Sequence, residues 1–223
     1  MKKIMIAFAC LLTIQSYSQK CDFYYLQNHK VVEMTLKNKK GKETGKIVYT
    51  ISNVNKSGNT ITSTVNSEMF SDKGKSITKA TNNMSCTNGV LMMDMKMFIP
   101  SPQQEQMGQA TANASNVYLE YPADMKEGDA LKDGDFSMDF KSASGIGGNV
   151  SVSITERKVL GKDSVTTPAG TWECFKISSR QKIVMKIGIG IPMRAEVTEW
   201  FAPGFGVVKS DANGATTEIT SVK

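Results

Sequence analysis

Ser164-Val165-Thr166-Thr167-Pro168-Ala169-Gly170-Thr171-Trp172-Glu173-Cys174-Phe175-Lys176-Ile177-Ser178 reads as one strand end, a tight turn and a second strand. Pro168 presets φ for the turn and Gly170 tolerates positive φ. After the turn comes an aromatic-Cys-aromatic run. If that strand is regular, Trp172 and Phe175 point to opposite faces. The segment carries no recognisable catalytic chemistry and predicts a β-sheet protein.

The same period-two pattern extends outward in both directions. Val32, Met34 and Leu36 alternate with polar neighbours, and Ile47, Tyr49 and Ile51 follow the turn-forming Lys40-Gly41-Lys42. Ile61, Val65 and Met69 share one face of a Ser/Thr-rich stretch. Asn88-Gly89 is the dipeptide favoured in two-residue hairpins. Phe136, Met138 and Phe140 alternate with charged and polar residues, and Val150, Val152 and Ile154 alternate with polar neighbours. The pattern predicts an all-β, mostly antiparallel curved sheet, an open half-barrel or barrel-like. Residues 100–116 interrupt it and are read as at most one short helix or a loop. Ser142 to Asn149, with Gly145, Gly147 and Gly148, reads as a flexible connection.

The N-terminus predicts export. Met1-Lys2-Lys3 precedes an apolar run from Ile4 to Ile14 and then Ser16-Tyr17-Ser18-Gln19. These are the basic, apolar and small-residue regions of a signal peptide, residues 1–18, with cleavage near Ser18. The apolar run is shorter than the roughly 20 residues a spanning helix needs. Lipid attachment is not expected, because Cys10 lies inside the apolar run and Cys21 follows Lys20. Residues 19–223 are read as a single β-rich domain, with two similar halves divided near 100–116 as an option. The expected location is periplasmic or secreted, with no transmembrane segment in the mature chain.

Lys and Arg number 27 against 21 Asp and Glu, a net charge of +6. No dense basic block interleaved with aromatics accompanies this excess, so nucleic acid is not an expected partner. Of the four cysteines, Cys10 lies in the leader, and Cys21, Cys86 and Cys174 admit three alternative single pairs. Cys21–Cys86 is the favoured disulfide candidate, since a staple near the mature N-terminus restrains fraying. Cys174, inside a strand pattern, suits a buried free thiol.

Two apolar stripes are the candidate ligand-binding residues. Leu91, Met93, Met95, Met97 and Ile99 form the first; Ile183 opens the second, which continues through Met185, Ile187, Ile189, Ile191 and Met193. As strands, each projects an apolar row to one face. Such rows serve as core or as the wall of an apolar groove, where methionine accommodates varied partners. Catalytic and metal-binding signatures are missing. The one histidine, His29, stands beside Lys30 in a loop-like stretch, and no Cys/His spacing suits a structural zinc. Asp133-Gly134-Asp135 lacks the rest of a calcium loop. No enzyme activity, cofactor or metal is expected.

Several segments together resemble the TapB-like family of exported envelope proteins of unknown function. They are Glu156-Arg157-Lys158-Val159 with Ser164 to Cys174, Glu199-Trp200-Phe201-Ala202-Pro203-Gly204-Phe205-Gly206 through Ser210, Cys86-Thr87-Asn88-Gly89 with Asp94-Met95, and Tyr121-Pro122 through Asp133. Residues 211–215 depart from the family pattern. The resemblance implies one family unit over almost the whole mature chain and brings no catalytic residues. At the level of fold, the chain is distantly similar to periplasmic half-barrels that include lipoprotein carriers. The expected function is non-catalytic binding of an apolar small molecule, a lipid or an apolar segment of an envelope protein. The alternative is a structural or adaptor role in the envelope through protein–protein contacts.

Overall fold

A computed structural model describes residues 21–99, 117–141, 145 and 147–223. Residues 1–20, which include the expected leader, and the segment 100–116, including the short helix read there, lie outside the described residues. The strands are β1 (Val31–Lys37), β2 (Glu43–Ser57), β3 (Thr60–Ser71), β4 (Ser76–Thr87), β5 (Val90–Asp94), β6 (Tyr118–Pro122), β7 (Gly134–Lys141), β8 (Gly147–Thr167), β9 (Gly170–Ile187), β10 (Ile189–Ala202), β11 (Gly206–Ala212) and β12 (Ala215–Val222). All belong to one sheet, ordered β6-β5-β4-β3-β2-β1-β12-β11-β10-β9-β8-β7. Every pairing is antiparallel. The all-β barrel-like expectation therefore holds: the sheet curls into a nearly closed barrel, with alternating apolar residues such as Phe136, Met138 and Phe140 buried.

The hairpin that anchors the sequence reading forms as its turn chemistry requires. Thr167 pairs with Gly170 across the β8–β9 turn, and Gly170 has φ +139°, where a side chain is disfavoured. The Thr167 hydroxyl accepts from the Ala169 amide at 3.3 Å and the Trp172 indole N–H at 3.1 Å. Asn88 and Gly89 both take positive φ, as a type I′ turn between β4 and β5 demands.

The sheet closes through two different contacts. β1 and β12 pair along Val32–Lys37, bringing the first and last strands side by side. The edges β6 and β7 are not hydrogen-bonded to each other as strands. Arg157 spans that seam: its Nη1 donates to Glu120 O at 2.9 Å and Lys132 O at 2.8 Å. Lys132 also pairs with Glu120 at 2.8 Å. Gly134 permits the close approach, because a Cβ there would lie 2.8 Å from Leu119 Cδ1.

One end of the barrel is plugged. Phe23, Tyr25 and Leu26 are buried at a 3₁₀ turn, Tyr24–Leu26. Ser63 Oγ donates to Tyr25 O at 2.6 Å, and Tyr24 N donates to Gly204 O at 2.8 Å. Phe205 tucks into this plug, with ring centroids 5.1 Å from Tyr24, 5.6 Å from Tyr25 and 4.8 Å from Trp172. A disulfide between Cys21 and Cys86 ties the plug to β4, while Cys174 is a buried free thiol.

Candidate functional site

The barrel interior opens away from the plug into a cavity of about 530 Å³, within the roughly 300–1,000 Å³ range of small-molecule sites. Its walls follow from strand periodicity. β1 contributes Met34 and Leu36, β2 Ile47 and Tyr49, β3 Met69, and β4 Met84. Tyr25 and Gly206 form part of its plug-side boundary, while Lys37, Asn38, Ala212 and Ala215 mark the rim near the β1–β2 and β11–β12 turns. Burial pushes the Tyr49 hydroxyl up to about 12. The Tyr25 hydroxyl is also raised well above its usual value, first by burial and then by Tyr49.

The first stripe contributes most of its members. Leu91, Met93, Met97 and Ile99 line the cavity, whereas Met95 is buried against Gly134 instead. The stripe is not one strand. β5 stops at Asp94, whose carboxylate accepts from the Lys96 amide at 3.0 Å and caps a 3₁₀ turn, Met95–Phe98. This turn lays Met97 and Phe98 along the cavity wall, and Gln181 Nε2 reaches Phe98 O at 3.4 Å.

None of the second stripe lines the cavity. Ile183 is buried core, and Met185, Ile187 and Met193 are partly buried against it. Ile189 and Ile191 are 86% and 69% exposed. They occupy the tip of the β9–β10 hairpin, beyond Gln181 and Val197, which lie on the cavity wall.

A buried polar cluster borders the cavity. Glu199, 6% exposed, lines it and accepts from the Tyr121 hydroxyl at 3.0 Å. Tyr121 stacks on Phe201 with centroids 5.0 Å apart and planes at 2°. The Arg157 guanidinium lies 4.6 Å from the Tyr121 ring centroid. Its Nε and Nη2 have no hydrogen-bond partner among the described residues. Burial raises Glu199 above the usual carboxylate range, partly offset by Arg157 and by the Tyr121 hydrogen bond.

A β-bulge explains why Arg157 points inward. Glu156 takes φ 54°, and the β8–β9 register shifts between Thr155 and Lys158. Glu156 is exposed and Arg157 is 2% exposed, reversing the preceding alternation. Sequence reading did not single out Tyr121, Arg157 or Glu199 individually. Each nevertheless stands in a motif segment quoted above, so shared motif membership was the available signal. Glu199 stands in phase with Val197 and Phe201, and a charged residue on an apolar strand face marks a candidate for a paired buried site. Arg157 stands out of phase with Val152 and Ile154, so its burial had no such signal.

The remaining chemistry is sparse. His29 is exposed, with φ 62°. Cys174 is pushed up to about 12, mainly by burial, with Asp163 and Glu173 adding to the effect. Among the described residues, no group of three or more His, Cys, Asp or Glu is placed to hold a metal ion. No helix among them is long and apolar enough to cross a membrane.

The family described as DUF3108-like matches residues 27–222, and the chain belongs to that family. The matching description is DUF3108-like rather than TapB-like. A Bacteroides fragilis protein described as exported, with a YmcC-like fold, shares 19% identity at a TM-score of 0.72, covering 88% of this chain and 96% of that one. A Parabacteroides distasonis protein described as a lipoprotein shares 18% identity at a TM-score of 0.75, covering 92% and 100%. At these identities, the likeness is one of fold. No curated protein matches the chain.

Proposed function

We propose that this DUF3108-like protein is exported to the cell envelope, matures by cleavage near Ser18, and binds an apolar or lipid-like ligand without chemistry. The observation that carries this reading is the methionine-rich cavity bounded by Met34, Met69, Met84, Met93 and Met97. Flexible thioethers adapt to varied apolar shapes, and a preformed cavity reduces the ordering cost of binding. The exposed His29 and buried Cys174 offer no paired nucleophile and base. The description of the Bacteroides relative as exported and of the Parabacteroides relative as a lipoprotein supports an envelope setting.

The test uses protein purified from the envelope, extracted with organic solvent and analysed by mass spectrometry. The stripped protein is then titrated with 1-anilinonaphthalene-8-sulfonate. A co-purifying lipid and saturable dye binding are expected. Met69→Trp and Met93→Trp fill the cavity and should weaken dye binding about tenfold, a loss of roughly 1.4 kcal/mol. Absence of saturable binding, or binding indifferent to both substitutions in folded protein, overturns the reading.

A further inference from the structure

The β9–β10 hairpin extends beyond the cavity rim with two unlike faces; β8 flanks β9 as far as Lys186, while β10 has no β11 pairing before Val197. Its register runs without a shift from Ile187–Ile189 to Phe175–Phe201. From Gln181, at the cavity, to Ile187 the strand advances roughly 20 Å at about 3.3 Å per residue. Cross-strand pairs Ile183–Met193, Met185–Ile191 and Ile187–Ile189 make one face apolar. Lys182 pairs with Arg194, and Lys186 with Gly190, on the other face. Residues 181–195 contain no Asp or Glu. Lys182, Lys186 and Arg194 are exposed.

We infer that this tip is a membrane-contact element, with Ile189 and Ile191 entering the interface of a bilayer that carries anionic headgroups. The two isoleucines supply the apolar insertion, while the basic residues supply attraction to the headgroups and have apolar stems suited to the interface. A second copy of the chain fits the tip less well. A specific protein interface buries roughly 800 Å² on each side, more than two isoleucine side chains provide. Strand addition is opposed at Pro192, which has no backbone N–H, and at Gly188 and Gly190, which weaken an edge. Docking through the tip brings the cavity rim toward the bilayer, but the membrane contact itself does not require the cavity to be occupied.

The test is flotation of the folded, exported protein with phosphatidylcholine vesicles and with vesicles containing phosphatidylglycerol. Binding is expected to favour phosphatidylglycerol and to weaken as salt screens the charges. The double variant Ile189→Asp/Ile191→Asp should lose binding by about tenfold or more, with its thermal melt and vesicle-free dye binding unchanged. Lys182→Glu/Lys186→Glu should remove the preference for the anionic vesicles. Absence of flotation with either vesicle, or wild-type flotation by the isoleucine variant, overturns the inference. Self-association that the isoleucine variant abolishes, without vesicle binding, identifies a second copy as the occupant and also overturns it. Dye binding is read in the absence of vesicles, so failure of the cavity proposal remains distinguishable from failure at the tip.

Discussion

Arg157 holds its guanidinium carbon 4.6 Å from the Tyr121 ring centroid while Nη1 donates to carbonyls on both sides of the β6–β7 seam. One buried side chain thus serves as a charge neighbour of Glu199 and as the strap across the open seam. Arg157→Leu should lower unfolding stability by about 3 kcal/mol, because it removes two charge-assisted hydrogen bonds and leaves Glu199 without its cation. Arg157→Lys should recover less than half of that loss, since an ammonium lacks the planar fork. Urea denaturation measures both. An Arg157→Leu protein as stable as wild type would remove Arg157 from the account of seam closure.

Glu199 gives the molecule a signed pH dependence. Its carboxyl is raised above the ordinary 4.5 by burial, so the folded chain binds this proton more readily than the unfolded chain. Its contribution is therefore most favourable below the unfolded value and is lost as pH rises toward and through the folded value. Glu199→Gln keeps an acceptor for Tyr121 but removes the titration. Between pH 4.5 and neutrality, wild-type Tm should fall relative to the variant's Tm. Parallel Tm curves would show that Glu199 does not contribute this slope.

The Cys21–Cys86 bond closes a separation of 65 residues. In the chain-entropy picture, a loop of that length corresponds to about 4 kcal/mol of stabilisation. Cys21→Ser/Cys86→Ser should lose a few kcal/mol and release the plug, read as faster amide exchange at Tyr24 to Leu26. Unchanged exchange there would separate plug order from the disulfide.

Cys174 is free but buried, and its thiol is pushed up to about 12. Native protein at pH 8 should therefore react with a thiol reagent far more slowly than protein unfolded in urea. Equal rates in the two states would contradict the burial seen at this position.

The sequence made the hairpin chemistry readable because turn residues act locally. Thr167 to Gly170 and Asn88-Gly89 needed only their neighbours to predict their turns. The alternation around Leu91 and Met93 likewise marked an inward-facing apolar row, although it did not separate core from cavity wall. What failed to read through was set by events that alternation cannot see. Asp94 caps a 3₁₀ turn and rotates Met95 out of the stripe. Glu156 adopts a left-handed conformation and turns Arg157 inward. The second stripe has an uninterrupted pattern yet contains the buried Ile183 and the exposed Ile189. Its tip extends past the neighbouring β11 pairing, which covers only Val197–Ala202 of β10. The Tyr121–Glu199 contact joins residues 78 apart, with no local signal for their meeting.

The pairing of β1 with β12 carries a consequence for the order of folding. Two runs of successive hairpins, β1 to β6 and β7 to β12, can form from contacts close in sequence, but their junction joins Val32 to Val222. That closure incurs the entropy of almost the whole chain and is favoured only once the final strand is present. Until β12 is in place, β1 presents a bare edge on that side. Completion of the barrel is therefore a late, whole-chain event, and a chain that ends before β12 leaves the edges of β1 and β11 unpaired.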